Sequence, residues 1–226
     1  MQNLSIFDIA GPIMIGPSSS HTAGACKIGQ FARALFHKTP KKVTFYLHGS
    51  FGEVFKGHAT DKALLAGVMK FRTSDPRMKD SFEIAKEKGI AYKFEKKNLG
   101  AKYHPNSVLI VLETGKYKMS VLGSSIGGGM IEILKIDNFD VDIKGRAGKY
   151  QSLVVCHDKD GGVLKEVVED IKKIGIAVAE IESTSYKDKT LSVISLEGKR
   201  ITLFEVLGLE KIKGVDFVRA LSKLQK

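Results

Sequence analysis

The chain has 226 residues and a mass of 24.7 kDa, with 43% hydrophobic and 27% charged residues, which is room for one large or two small packed domains and excludes a short hormone or a disulfide-stapled toxin. No apolar run reaches the roughly 18 to 20 residues of a membrane span, and Cys26 and Cys156, in different halves, supply neither a disulfide framework nor a four-thiolate metal site. The net charge of +11 is unevenly placed: residues 1–150 hold 23 Lys and Arg against 13 Asp and Glu, and residues 151–226 hold 13 against 12. The first part alone therefore carries a field able to attract small carboxylates, an acidic protein or nucleic acid, and charge by itself does not choose among them.

In chain order, the apolar N-terminal stretch has no basic residue before it and is interrupted by Gly11, Pro12, Gly16 and Pro17, which argues against a signal peptide and for a cytoplasmic protein. Residues 23–37 place Ile28, Phe31, Ala32, Leu35 and Phe36 on one face, with Lys27, Gln30 and Arg33 elsewhere, the pattern of an amphipathic helix. A strand over 42–47 and helices over 60–70 and 80–88 follow. Strands then take over at 91–95, 107–113, 116–122, 130–136 and 139–143, giving a mixed α+β domain whose topology the pattern does not fix. The Gly-rich, charged stretch 144–149 reads as a linker and divides the chain into domains 1–147 and 148–226. Beyond it, a strand at 150–157, a helix over 164–174, a hairpin of 176–186 with 190–196, a short helix at 202–212 and a strand from 216 onward give the ferredoxin-like order βαββαβ.

Three segments carry candidate chemistry. Residues 16–24 put Ser18, Ser19, Ser20, His21 and Thr22 at the start of the first helix, where free N–H groups and the positive end of the dipole favour a carboxylate or phosphate. Capping of the helix by Ser20 or Thr22 alone is the plainer alternative, although a cap needs one hydroxyl and this segment supplies four. A Ser-His nucleophile is not implied, because adjacency of Ser20 and His21 says nothing of triad geometry and the Gly-x-Ser-x-Gly elbow is missing. The second segment, His48-Gly49-Ser50-Phe51 with Lys56-Gly57-His58-Ala59-Thr60-Asp61, reads as a polar loop before the 60–70 helix. There His58 and Asp61 could share a face as acid–base groups or, without the regular spacing of zinc sites, as metal ligands, or Thr60 could cap the helix with Asp61 in its first turn. The third, Gly123-Ser124-Ser125-Ile126-Gly127-Gly128-Gly129, reads as a loop between strands; it matches neither a P-loop nor a dinucleotide fingerprint, and serves either ligand approach or a plain turn. Lys86 to Tyr103 interleaves six Lys with Tyr92, Phe94 and Tyr103, which fits an edge strand guarded by lysines better than a single-stranded nucleic-acid platform.

Taken in order, the motifs at 16–24, 56–61 and 125–129 resemble the beta chain of the iron-sulfur-dependent L-serine dehydratases, and the C-terminal 76 residues resemble an ACT domain. The resemblance implies a subunit of a two-chain lyase that converts L-serine to pyruvate and ammonia. It further implies a 4Fe-4S cluster ligated by a separate alpha chain, no cofactor or metal bound by this chain alone, and little activity in the isolated chain. Partners implied are the alpha chain, L-serine and a second copy through the ACT domain, with neither nucleic acid nor membrane. Carried over by motif, the substrate- or effector-binding residues are Ser18, Ser19, Ser20, His21, Thr22, His58, Asp61, Ser125, Gly127, Gly128 and Gly129; catalytic residues are not assigned. In the ACT-like part the ligand turn would be Asp160, Gly161 and Gly162, which replaces the usual Pro-Gly pair. The alternative is an amino-acid-binding regulator of the ACT type without a catalytic role.

Overall fold

The computed structural model describes residues 13–144, 151–159 and 161–221, so the linker expected around 147 falls largely outside the described residues, as does Asp160. The chain forms two compact units: one takes in the described residues up to Asp137 together with 141–144, the other Asn138–Asp140 and the described residues from 151 on.

The larger unit opens with a helical turn, Ser19–Gly24, that runs straight into helix α1 (Ala25–Phe36). Its wider winding shows in Ser18 O, which accepts from both Thr22 N (2.9 Å) and Ala23 N (3.4 Å). Then come β1 (Lys42–Leu47), α2 (Gly49–Val54), α3 (Thr60–Val68), a 3-10 turn at Pro76–Asp80 and α4 (Ser81–Glu87). Five strands complete it: β2 (Ala91–Lys96), β3 (Ser107–Thr114), β4 (Tyr117–Gly127), β5 (Met130–Ile136) and β6 (Phe139–Lys144). The sheet order is β2-β1-β3-β4-β5-β6. β1 and β2 are parallel, a pairing that needs the long helical crossover α2 to α4 between them, whereas β3, β4 and β5 follow by antiparallel pairing. Ile28, Phe31, Ala32, Leu35 and Phe36 of α1 are fully or almost fully buried with Ile110, Leu112 and Val121 of the sheet. Each of the larger of these side chains, Ile, Leu, Val or Phe, contributes roughly 1.5–3 kcal/mol by leaving water.

The smaller unit contains β7 (Gln151–Asp158), α5 (Gly161–Lys173), β8 (Ala177–Tyr186), β9 (Lys189–Glu197), α6 (Leu203–Leu209) and β10 (Val215–Leu221). Its sheet runs β10-β7-β9-β8 with antiparallel neighbours, so the ferredoxin-like order expected from the sequence is the order observed. Leu153 and Val155 meet Ile194 and Leu196 from the sheet side, and Val167, Ile171, Val206 and Leu209 close the core from α5 and α6. At α6 the sequence Thr202-Leu203-Phe204-Glu205 forms a capping box, each end residue satisfying the other's backbone N–H.

Three expectations are corrected. Residues 48–59 are not all loop: α2 forms there, because buried Phe51 anchors it against the sheet and outweighs the poor helix propensity of Gly49 and Gly52. Residues 123–127 belong to β4, not to a loop; an added Cβ on Gly123 would lie 2.9 Å from Ile28 Cγ2, so glycine there lets α1 approach the strand. Lys27 and Arg33, read as lying off the apolar face of the first helix, are buried. In the expected edge strand, β2 does lie at the sheet edge, with half-buried Phe94 stacked on Phe45 at 4.6 Å and exposed Tyr92 stacked on Phe82 at 5.3 Å, so each ring has an aromatic partner within the fold.

Candidate functional site

The three sequence motifs meet around the start of the long helical segment in the larger unit. Ser18, extended, is the residue that caps it: its Oγ accepts from His21 N at 3.0 Å, in place of the Ser20 or Thr22 cap read from sequence. Winding of this wider kind recurs at functional sites, because it turns side chains out of the ordinary helical phase. Thr22, almost fully buried, donates from Oγ1 to His58 O at 3.1 Å and so fastens the first motif to the second.

His21 lies at the centre. Its Nε2 is 3.0 Å from Ser50 Oγ, its ring meets the Phe51 ring edge-on at 5.3 Å, and it tilts over the His58 ring at 5.0 Å. Burial pushes the His21 pKa below its ordinary value and the neighbouring His58 adds to the effect, so the imidazole is neutral near pH 7. A neutral ring offers one donor and one acceptor, which suits holding a polar ligand or passing a proton. Its neighbour His58 has Nδ1 at 3.4 Å from Val54 O. Ala59, directly after it, adopts a left-handed backbone (φ 54), a conformation that costs a non-glycine residue energy and that turns the chain into α3.

The third motif approaches from the sheet. Ser125 in β4 is fully buried, and its Oγ has no hydrogen-bond partner among the described residues. The hydroxyl faces the helix start: an added Cβ on Gly24 would stand 2.1 Å from Ser125 Oγ, so no larger residue fits at position 24. Gly127, Gly128 and Gly129 all take positive φ (110°, 59° and 75°), which forms the tight turn between β4 and β5. Lys27, one turn of α1 beyond Gly24, donates from Nζ to Gly129 O at 2.9 Å.

Not every residue inferred from the sequence joins this cluster. Ser19 and Ser20 sit in the turn with no side-chain hydrogen bond among the described residues. Asp61 does not pair with His58; its Oδ1 accepts from Lys62 N at 2.8 Å, and burial raises its pKa. Thr60 is no cap either, since its Oγ1 is buried without a partner among the described residues. Gly161 and Gly162 open α5 in the other unit. Conversely, Ser50, Phe51 and Lys27 are in the cluster although the motif reading left them out of the site. Ser50 and Phe51 stood within the second motif, and Lys27 was signalled only as a lone cation in the run Ala25-Cys26-Lys27-Ile28-Gly29.

The donor set does not fit an iron–sulfur cluster held by this chain. Cys26 is buried, donates to Phe71 O at 3.5 Å and has its thiol pKa pushed up to about 12, the opposite of what thiolate ligation requires. Among the described residues no three His, Cys, Asp or Glu gather as a metal site.

The serine dehydratase beta chain family profile matches residues 5–135. The chain is 45% identical over 169 residues to "L-serine dehydratase, beta chain" of Peptoniphilus asaccharolyticus, covering 74% of each chain. It is 38% identical over 197 residues to "Probable L-serine dehydratase, beta chain" of Bacillus subtilis (strain 168), covering 87% of this chain and 88% of that one. Among solved structures, the ACT domain from GTP pyrophosphokinase of Chlorobium tepidum aligns with a TM-score of 0.29 and 15% identity, over 32% of this chain and 96% of that one.

Proposed function

The chain belongs to the serine dehydratase beta-chain family, and from that premise we propose that it is the beta subunit of an L-serine dehydratase and that the His21 cluster binds L-serine. One observation carries this reading: three segments far apart in sequence converge on the same helix start, with Ser125 Oγ buried and unpaired beside it. A buried hydroxyl without a partner costs about 1–3 kcal/mol, a cost that a ligand's hydrogen bond removes. Neutral His21, steadied by Ser50, adds a donor or acceptor for the same ligand.

In this reading the alpha chain supplies the thiolates and the cluster, which when bound provides Lewis-acid chemistry at the substrate hydroxyl. This chain binds and orients serine, either in the active site or as effector, and is inactive alone. It works in the cytoplasm; among the described residues no helix is long and apolar enough to cross a membrane. Residues 1–147 form the serine-binding domain and 148–226 an ACT-type domain through which two copies associate. Support for association comes from β8, a ten-residue strand at the sheet edge whose residues are mostly exposed, because such an edge is a template for pairing.

Anaerobic affinity purification of the chain from its own cells tests the proposal. A cysteine-bearing partner, iron and L-serine-dependent pyruvate formation are the expected result. An intact chain recovered alone, without activity and binding an amino acid, would instead favour the regulator.

A further inference from the structure

Lys27 is 6% exposed, yet no carboxylate lies within ion-pair distance of it among the described residues. Its ammonium has three protons; Gly129 O takes one, and no second acceptor is found among the described residues. A buried cation in this condition is costly unless a counter-charge meets it. Arg33, the other buried cation among the described residues of the larger unit, donates to Thr39 Oγ1 at 3.3 Å and leaves its Nη1 without a partner among the described residues, but it lies nearly two turns further along α1, away from the three motifs.

Position supplies the rest. Gly24 and Lys27 are three residues apart and share a helix face. That face meets the end of the β4–β5 hairpin, Gly24 opposite the unpaired Ser125 Oγ and Lys27 at the glycine turn. Ser18, Ser125 and His21 offer hydrogen bonds without charge, whereas Lys27 brings a buried cation to the hairpin end beside them, a partner for the carboxylate of a zwitterionic amino acid. We propose that Lys27 is the anchor for the carboxylate of the bound amino acid, in addition to holding the Gly127–Gly129 turn in place. The proposal rests on the serine-binding reading above.

The test separates charge from latch. Lys27→Gln keeps a donor for Gly129 O but removes the charge, and Lys27→Arg keeps the charge. With the co-purified complex, KM and kcat are measured for L-serine, together with the inhibition constant of L-serinamide, whose carboxylate is blocked. Lys27→Gln is expected to raise KM about ten- to a hundredfold while kcat stays within about threefold, as for loss of a charge-assisted hydrogen bond made in the ground state. L-serinamide inhibition stays unchanged, and Lys27→Arg recovers most of the affinity. An unchanged KM in Lys27→Gln, or equal weakening of L-serine and L-serinamide, would overturn the anchor. If the wild-type complex forms no pyruvate, the dehydratase reading fails separately. Thermal shifts of the same proteins then decide Lys27: L-serine raising Tm in wild type but not in Lys27→Gln upholds the anchor, and any other pattern overturns it.

Discussion

His21 is the residue on which most of the site's contacts converge, and its chemistry is set by burial and by His58. Because its pKa is lowered in the folded chain, the unfolded state binds the extra proton more readily. The stability contributed by neutral His21 is therefore complete above about pH 6.5 and is lost as pH falls from there through the folded-state pKa. Histidine NMR should accordingly show His21 titrating below 6.5; a midpoint at or above that value would contradict the packing described. Ser125 makes the opposite kind of prediction, since its hydroxyl is a liability to the empty fold. Ser125→Ala should leave thermal stability unchanged or raise it by about 1 kcal/mol, while KM for L-serine rises several-fold. A loss of stability with KM unchanged would show that the hydroxyl serves the fold. The motif residues themselves were legible because clustered hydroxyls, histidines and glycines stand out in a sequence. Lys27 was not, because a single lysine in a helix is ordinarily solvated and only the hairpin packed over it reveals otherwise.

Between elements, the contact that positions the site is the crossing of α1 and α3. Gly67 of α3 comes so near α1 that an added Cβ would fall 2.1 Å from Cys26 O, and Gly29 returns the contact at 2.4 Å from Leu64 O. Backbone on both sides leaves nothing to move aside, so Gly67→Ala should destabilise the unit by about 1–3 kcal/mol. Gly115→Ala, at a positive-φ turn with open space around it, should cost only about 1 kcal/mol. Urea unfolding of the two variants checks the ranking. The amphipathic period announced α1, and alternation announced most strands, since both are local patterns. The α2 helix escaped notice because two glycines in six residues mask it, and its stability comes from Phe51 and the sheet. Ser124 and Ser125 likewise look like loop in the sequence, because glycines on either side hide the extended strand that pairs them with Glu132 and Ile131.

At the scale of the whole molecule, the smaller unit's topology followed from element order, as few arrangements satisfy βαββαβ with short connections. The larger unit's order did not, because placing β1 between parallel β2 and antiparallel β3 depends on long-range pairing that local pattern cannot encode. The exposed edge at β8 predicts self-association: light scattering should give at least a dimer, and Ile181→Lys on that strand should shift it toward smaller species. A monomer at every concentration would remove the proposed pairing. Binding of L-serine by the His21 cluster is tested by steady-state pyruvate formation in the co-purified complex carrying His21→Ala. KM for L-serine should rise about tenfold or more with a much smaller fall in kcat. An unchanged KM, with or without loss of kcat, would contradict the claim.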